Sequence, residues 1–127
     1  LTMGLIYSLV TFVMFSSGTM DVPFGSVESA FKSGNAKDLV SIGKEKILIN
    51  VDGTEGVYSK SQATLVLKKF FTKYPAKSFS YIHKGKGSSE GSFAIGTYTS
   101  GRSEYRVTVH FKKIKGNFKI ESLAIEK

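Results

Sequence analysis

The segment SKSQATLVLKKFFTKYP, residues 59–75, decides how this chain folds. Ser59 followed three residues later by Gln62 is a capping box, in which each side chain satisfies a backbone N–H that the first helical turn leaves without a partner. Ala63, Val66, Leu67, Phe70, Phe71 and Tyr74 then recur at helical spacing, so one stripe of the helix is apolar. Lys68, Lys69 and Lys73 fall off that stripe, in the C-terminal half where the helix dipole favours cations. Pro75 cannot continue the hydrogen-bond ladder and ends the helix. Such a helix needs an apolar surface to cover, and the flanking sequence supplies one.

Downstream, the period changes from helical to alternating. Four runs, at 79–84, 92–98, 105–112 and 118–125, read as strands. Their connections are short enough for hairpins, which makes the sheet an antiparallel meander. One face is expected to carry Phe79, Tyr81, Phe93, Ile95, Tyr105, Val107, Val109, Phe111, Phe118 and Ile120. Upstream, Asp21 reads as the N-cap of a first helix with Pro23 in its opening turn, Val27, Ala30 and Phe31 on one side, and Gly34 at its end. Asn35 caps a second helix over 36–42 that buries Leu39 and Ile42 and closes at Gly43. A strand at 46–51, an Asp52-Gly53 turn and a strand at 56–58 form a small hairpin. Short helices first and a meander last describe one α+β domain over 21–127, with the helices on the concave side of a curved sheet and Phe70 and Phe71 as central core contacts.

The first twenty residues differ in kind. They carry no charge, and residues 3–15 (MGLIYSLVTFVMF) form an apolar run of signal-peptide length followed by the small residues Ser16, Ser17 and Gly18. The expectation is an exported protein, periplasmic or secreted, cleaved before Thr19; if the leader is retained it serves as a membrane anchor, although spanning takes about 20 apolar residues. The chain has no cysteine, which excludes disulfides, thiolate metal sites and thiol nucleophiles. Its formal charge of +8 lies entirely beyond residue 20.

The stretch from Glu55 through Ala63, the Phe70-Phe71 pair, Pro75 with Lys77-Ser78-Phe79, His83-Lys84-Gly85, Ala94-Ile95-Gly96-Thr97 and Ser33-Gly34-Asn35-Ala36 together resemble a family of short exported bacterial proteins of unknown function. The resemblance spans about 21–127. It implies a cone-like fold similar to that of nuclear transport factor 2 and to cystatin-like domains, in which helices pack into a strongly bent sheet. That superfamily contains isomerases, dehydratases, ligand carriers and dimerisation modules, so the resemblance implies no one activity. The short helices before the first hairpin argue against a deep, enclosed pocket.

The residues themselves point to binding more than to chemistry. His83 is expected beside Phe79 and Tyr81, and His110 on the opposite face from Val107 and Val109. Two histidines without a matching carboxylate pattern assign no catalytic residue and no metal site, and no cofactor is called for. The loop from Gly85 to Gly91 has the wrong glycine spacing for a phosphate loop and joins two strands. Tyr58, Tyr98, Tyr105 and Arg106 offer large contact area with polar ends, and Tyr58, His83, Tyr98 and Arg106 are the candidate ligand-binding set. Lys60, Lys68, Lys69, Lys73, Lys77, Lys84 and Lys86 occur with no intervening acid and form a candidate basic patch. The reading is an exported non-catalytic module that binds a small molecule, an anionic glycan or a protein, through the mouth of the cone or the sheet face, with a homodimer through that face as the corollary. The alternatives are a small isomerase- or hydrolase-type enzyme with His83 as base and Tyr58 or Tyr98 as donor, and a basic module on an anionic membrane surface. Export and the absence of a groove-reading motif argue against nucleic acid.

Overall fold

The computed structural model describes residues 22–86 and 90–127. The leader, the Asp21 cap and residues 87–89 of the Gly-rich connection lie outside the described residues. The elements in chain order are α1 (Phe24–Ser33), α2 (Ala36–Ser41), β1 (Gly43–Val51), β2 (Thr54–Ser59), α3 (Lys60–Lys73), β3 (Ser78–Lys84), β4 (Gly91–Ser100), β5 (Ser103–Ile114) and β6 (Asn117–Glu126). The strands make one curved sheet in the order β2-β1-β6-β5-β4-β3. β3 to β6 are the antiparallel meander that alternation predicts. The first hairpin attaches to it through a parallel pairing of β1 with β6, which no local pattern announces.

Helix ends follow the side chains that cap them. The α3 capping box is complete, with the Gln62 N–H donating to Ser59 Oγ at 3.3 Å and the Ser59 N–H donating to Gln62 Oε1 at 3.1 Å. Asn35 caps α2 by accepting from the Asp38 N–H at 2.9 Å, and Gly34, at φ 63°, supplies the left-handed turn between α1 and α2. Pro23, not Asp21, stands at the N-cap of α1, so the helix begins two residues later than expected. Gly43 does not close α2. It opens β1, and the inner side of α2 is Ala36, Leu39 and Val40, with Ile42 only half-buried.

All three helices lie on one face of the sheet: α1 against β3, α3 against β1 and β2, and α2 against both other helices. Phe31 of α1 stacks on Phe79 of β3 with ring centroids 4.8 Å apart, and Phe70 of α3 meets Tyr98 and Tyr105 at 5.5 and 5.3 Å. Two tyrosine hydroxyls staple helix backbone to sheet. Tyr81 donates to the Phe24 carbonyl at 2.7 Å, and Tyr98 donates to the Tyr74 carbonyl at 2.5 Å, an acceptor that the end of α3 leaves open.

The inner face departs from expectation in two places. In β4 the phase is inverted, with Ala94, Gly96, Tyr98 and Ser100 turned inward and Phe93 and Ile95 outward. Sterics explain this. A Cβ on Gly96 would lie 2.6 Å from Phe79 Cζ and 3.0 Å from the Ser80 carbonyl, so the ring that stacks on Phe31 fits only over a strand with small inward residues. In β3 a bulge at Ile82 lets Tyr81 pair with Gly96 and His83 with Ile95, which turns Ile82 and His83 to the outer face. His83 is therefore on the side opposite to Phe79 and Tyr81. The remaining expected core positions are buried, Tyr81 by half. No helix among the described residues is long and apolar enough to cross a membrane.

Candidate functional site

Where α3 ends, it stands away from the β1–β2 hairpin and leaves a concavity of about 440 Å³ at the mouth of the cone. The helix contributes Val66, Lys69, Phe70, Lys73 and Tyr74, which share one face because they recur every three or four residues. The far wall is Tyr58 of β2, and Tyr105 of β5 forms the floor. Asp52 closes the hairpin end. It adopts φ 52° and Gly53 φ 96°, the pair of positive values that a tight two-residue turn demands. The turn is held by the Asp52 N–H on the Ile125 carbonyl at 2.7 Å and the Gly53 N–H on Asn50 Oδ1 at 2.9 Å.

The mouth combines aromatic walls with positive charge at the rim. Tyr74 and Tyr105 have ring centroids 5.4 Å apart, and the Lys73 ammonium sits 5.5 Å over the Tyr74 ring. Burial raises the Tyr105 phenol above its ordinary pKa, and the neighbouring Tyr74 hydroxyl and Asp52 carboxylate push the same way. Tyr105 is thus a neutral donor at physiological pH. Lys69 and Lys73 supply two cations against the single Asp52 anion. Such a bowl suits an apolar or aromatic body carrying a negative group.

The four candidate ligand residues do not converge. Tyr58 lines the mouth. Tyr98 is fully buried between Phe31, Phe70 and Phe71, where burial, with Tyr105 adding, holds its phenol up at about 12. It is a core residue whose hydroxyl is committed to the Tyr74 carbonyl. Arg106 lies in a separate groove on the outer face with Glu104, Glu126 and Ile82. His83 is also on the outer face, its ring 5.1 Å from Phe93, and His110 lies 5.9 Å beyond Phe93 on the other side. His83 and Tyr58 therefore stand on opposite faces of the sheet and cannot act on one substrate atom. No group of three or more His, Asp or Glu among the described residues could hold a metal ion.

The seven lysines are divided as well. Lys60 and Lys73 are at opposite ends of a 14-residue helix, about 20 Å apart. Only Lys69 and Lys73 reach the mouth. Lys84 lies over the Phe24 and Tyr81 rings at 5.9 and 5.6 Å, on the α1 side of the molecule. Lys68, Lys77 and Lys86 are exposed, with Lys77 anchored by its N–H on the Thr99 carbonyl and Lys86 beyond the end of β3. Sequence reasoning missed Asp52, Val66 and Tyr74 as mouth residues. The signal available was the 66, 69, 70, 73, 74 spacing, which marks one helix face in which two lysines flank the apolar stripe.

The family model of a domain of unknown function, DUF4783, matches residues 24–126. No curated protein matches the chain. A DUF4783 protein from Bacteroides ovatus is 30% identical, with a TM-score of 0.78 over 85% of this chain and 96% of its own. The fold alone is shared with an NTF2-like protein of unknown function from Silicibacter pomeroyi, 11% identical, with a TM-score of 0.59 over 99% and 98% of the two chains. It is shared in the same way with a cystatin-like domain from Nostoc punctiforme, 11% identical, TM-score 0.62, over 80% and 70%. With helices packed on a curved six-stranded sheet, this α+β chain belongs to the DUF4783 family and has the NTF2-like fold.

Proposed function

We propose that this domain is a non-catalytic binding module whose mouth receives a small amphipathic anion. The observation that carries the reading is the pairing of Tyr58, Tyr74 and Tyr105 with Lys69 and Lys73 around one concavity of about 440 Å³. Aromatic walls favour a flat apolar body, and the rim cations select a carboxylate, sulfate or phosphate on it. Nothing in the arrangement pairs a general base with a polarising donor. The apolar leader supports export of the module, and N-terminal sequencing of the protein from its native cells tests that part.

The main test is a nuclear magnetic resonance screen with three matched sets of aromatic fragments: carboxylates, neutral amides and amines. Carboxylates are expected to bind preferentially, with shift changes gathered at Tyr58, Lys69, Tyr74 and Tyr105. Hits gathered elsewhere, or no preference for the carboxylate set, would overturn the proposal.

A second reading concerns the outer sheet face, which exposes Val57 at 63%, Ile82 at 64% and Phe93 at 37%. Its charges are self-complementary, since Arg106 faces outward beside Glu104 and Glu126, so a second copy of the chain suits it as partner. Sedimentation of wild type and Phe93→Glu tests this reading. A chain that stays monomeric at every concentration removes it.

A further inference from the structure

At the other end of α3, far from the mouth, β1 loses its pairing with β6 while keeping that with β2. Gly43 pairs with Ile120 and the next pair is Leu48 with Ser122, so β1 advances five residues while β6 advances two. Residues 44–47 have no partner on β6, and Lys44, Glu45 and Lys46 arch along that gap, with Lys46 still paired to Ser59 of β2. Gly43 stands at the foot of this arch, where a Cβ would meet the tip of the Ile47 side chain and come 3.2 Å from the Val40 carbonyl. On the β6 side Glu121 is itself a bulge residue, since His110 pairs with Ser122 and Phe111 with Ile120. Its carboxylate holds Lys44 at 3.6 Å and ties the arch down.

Beside the arch is a cleft of about 480 Å³ whose lining includes Gly43 and Ile114. Five lysines line it: Lys44 and Lys46 from the arch, Lys60 from the start of α3, and Lys115 and Lys119 from the β5–β6 hairpin. The opposing charges nearby are Glu45 in the lining and Glu121 on Lys44, which leaves an excess of cations. The hairpin adds strain of its own, because Lys112 and Lys119 are directly opposed cross-strand partners. Like charges in that position destabilise a sheet, so folding pays to keep them. Neither Arg of the chain lines the cleft. Ammonium groups act as point charges, and several of them around one hollow suit an anion that carries several negative groups close together.

We propose that this cleft binds a compact oligophosphate, several phosphate groups held within a few ångströms of one another. The lining lysines come from three separate elements, the arch, the hairpin and the start of α3, and a compact group can reach all three at once, which favours it over a flat membrane or a nucleic acid duplex. The site stands independently of the mouth, and either can fail without the other.

The test is calorimetric titration of the protein with inorganic tripolyphosphate at low and physiological salt. Saturable binding of about one tripolyphosphate per chain is expected, weakening with salt. The double variant Lys60→Gln/Lys115→Gln should weaken it by about tenfold or more, since each substitution removes one charge-assisted contact. The control Lys68→Gln/Lys77→Gln, which removes the same charge outside the cleft, should stay within about twofold. Vesicles of phosphatidylcholine doped with phosphatidylinositol bisphosphate distinguish a lipid headgroup from a soluble ligand. Vesicle binding that tripolyphosphate displaces assigns the headgroup, and tripolyphosphate binding alone assigns a soluble source. Absence of both, or equal losses in the cleft and control variants, overturns the proposal. Lys119→Gln provides a readout from folding, because relief of the Lys112 repulsion should keep its melting temperature at or above that of wild type. A clearly lower value counts against the strained pair.

Discussion

Replacing Phe70 by Ala tests the docking of α3 on the sheet, on which the mouth depends. The ring is 4% exposed and meets those of Phe71, Tyr74, Tyr98 and Tyr105 at centroid separations of 5.3 to 5.7 Å. Cutting a buried Phe to Ala costs about 3–5 kcal/mol, with the upper end reached where the surroundings cannot collapse into the void. Collapse is restricted here. Tyr98 is held by its bond to the Tyr74 carbonyl, and Phe71 is wedged between Phe31 and Tyr98. We therefore expect a loss of about 4 kcal/mol, a large part of the roughly 5–15 kcal/mol available to a domain. In a thermal melt this is a fall of about 15–30 °C. Leu65→Ala is the matched control, on the same helix but 68% exposed, and should stay within about 0.5 kcal/mol. Urea unfolding followed by circular dichroism reads both. A Phe70→Ala protein within about 1 kcal/mol of wild type, or a Leu65→Ala protein equally damaged, would refute the docking of α3 by this face.

Tyr98→Phe should cost about 1 to 3 kcal/mol, because the Tyr74 carbonyl is left without its donor, and should leave carboxylate binding at the mouth unchanged. Loss of binding without loss of stability would return Tyr98 to the site. Gly96→Ala should cost about 1–3 kcal/mol by displacing Phe79, and a neutral effect in a melt would deny that contact. Stability should also fall at alkaline pH. Tyr98 and Tyr105 keep their protons to higher pH when folded than when unfolded, so between the ordinary phenol value near 10 and about 12 the unfolded chain binds fewer protons and folding weakens as pH rises. Tyr81, raised by burial and by Glu28, acts in the same direction. Tyrosinate absorbance and circular dichroism should change together in that range. Ionisation of these tyrosines near 10 with the fold intact would contradict their burial.

The features legible in the sequence were those whose cause is local. The Ser59–Gln62 box, the 63–74 stripe, the Asn35 cap and the Asp52-Gly53 turn each rest on neighbours within a few residues, and each is present as read. The β4 phase was not legible because both alternating sets are partly apolar. Phe93 and Ile95 are the larger set, yet Ala94, Gly96 and Tyr98 turn inward because Phe79 needs the space. The parallel β1–β6 pairing joins segments distant in sequence and has no turn to mark it. At the candidate site Tyr58 was found by residue type alone. Lys69 and Lys73 were found for the wrong reason, as part of a charge run that the helix distributes over two ends.

Bulges account for the misplaced His83 and for one of the two proposed sites, the lysine cleft. A bulge at Ile82 turned His83 outward, and the paired irregularities at Lys44–Lys46 and Glu121 open the lysine cleft. Each adds residues to one strand that its partner does not match, a pattern concentrated where a sheet presents side chains to something other than its own core. α3 connects the two proposed sites, since Lys60 reaches the cleft and Lys69 to Tyr74 line the mouth. Their separation of about 20 Å places them beyond direct coupling, so local substitutions at the two ends should act additively. A core variant such as Phe70→Ala, which loosens the shared helix, should instead weaken both.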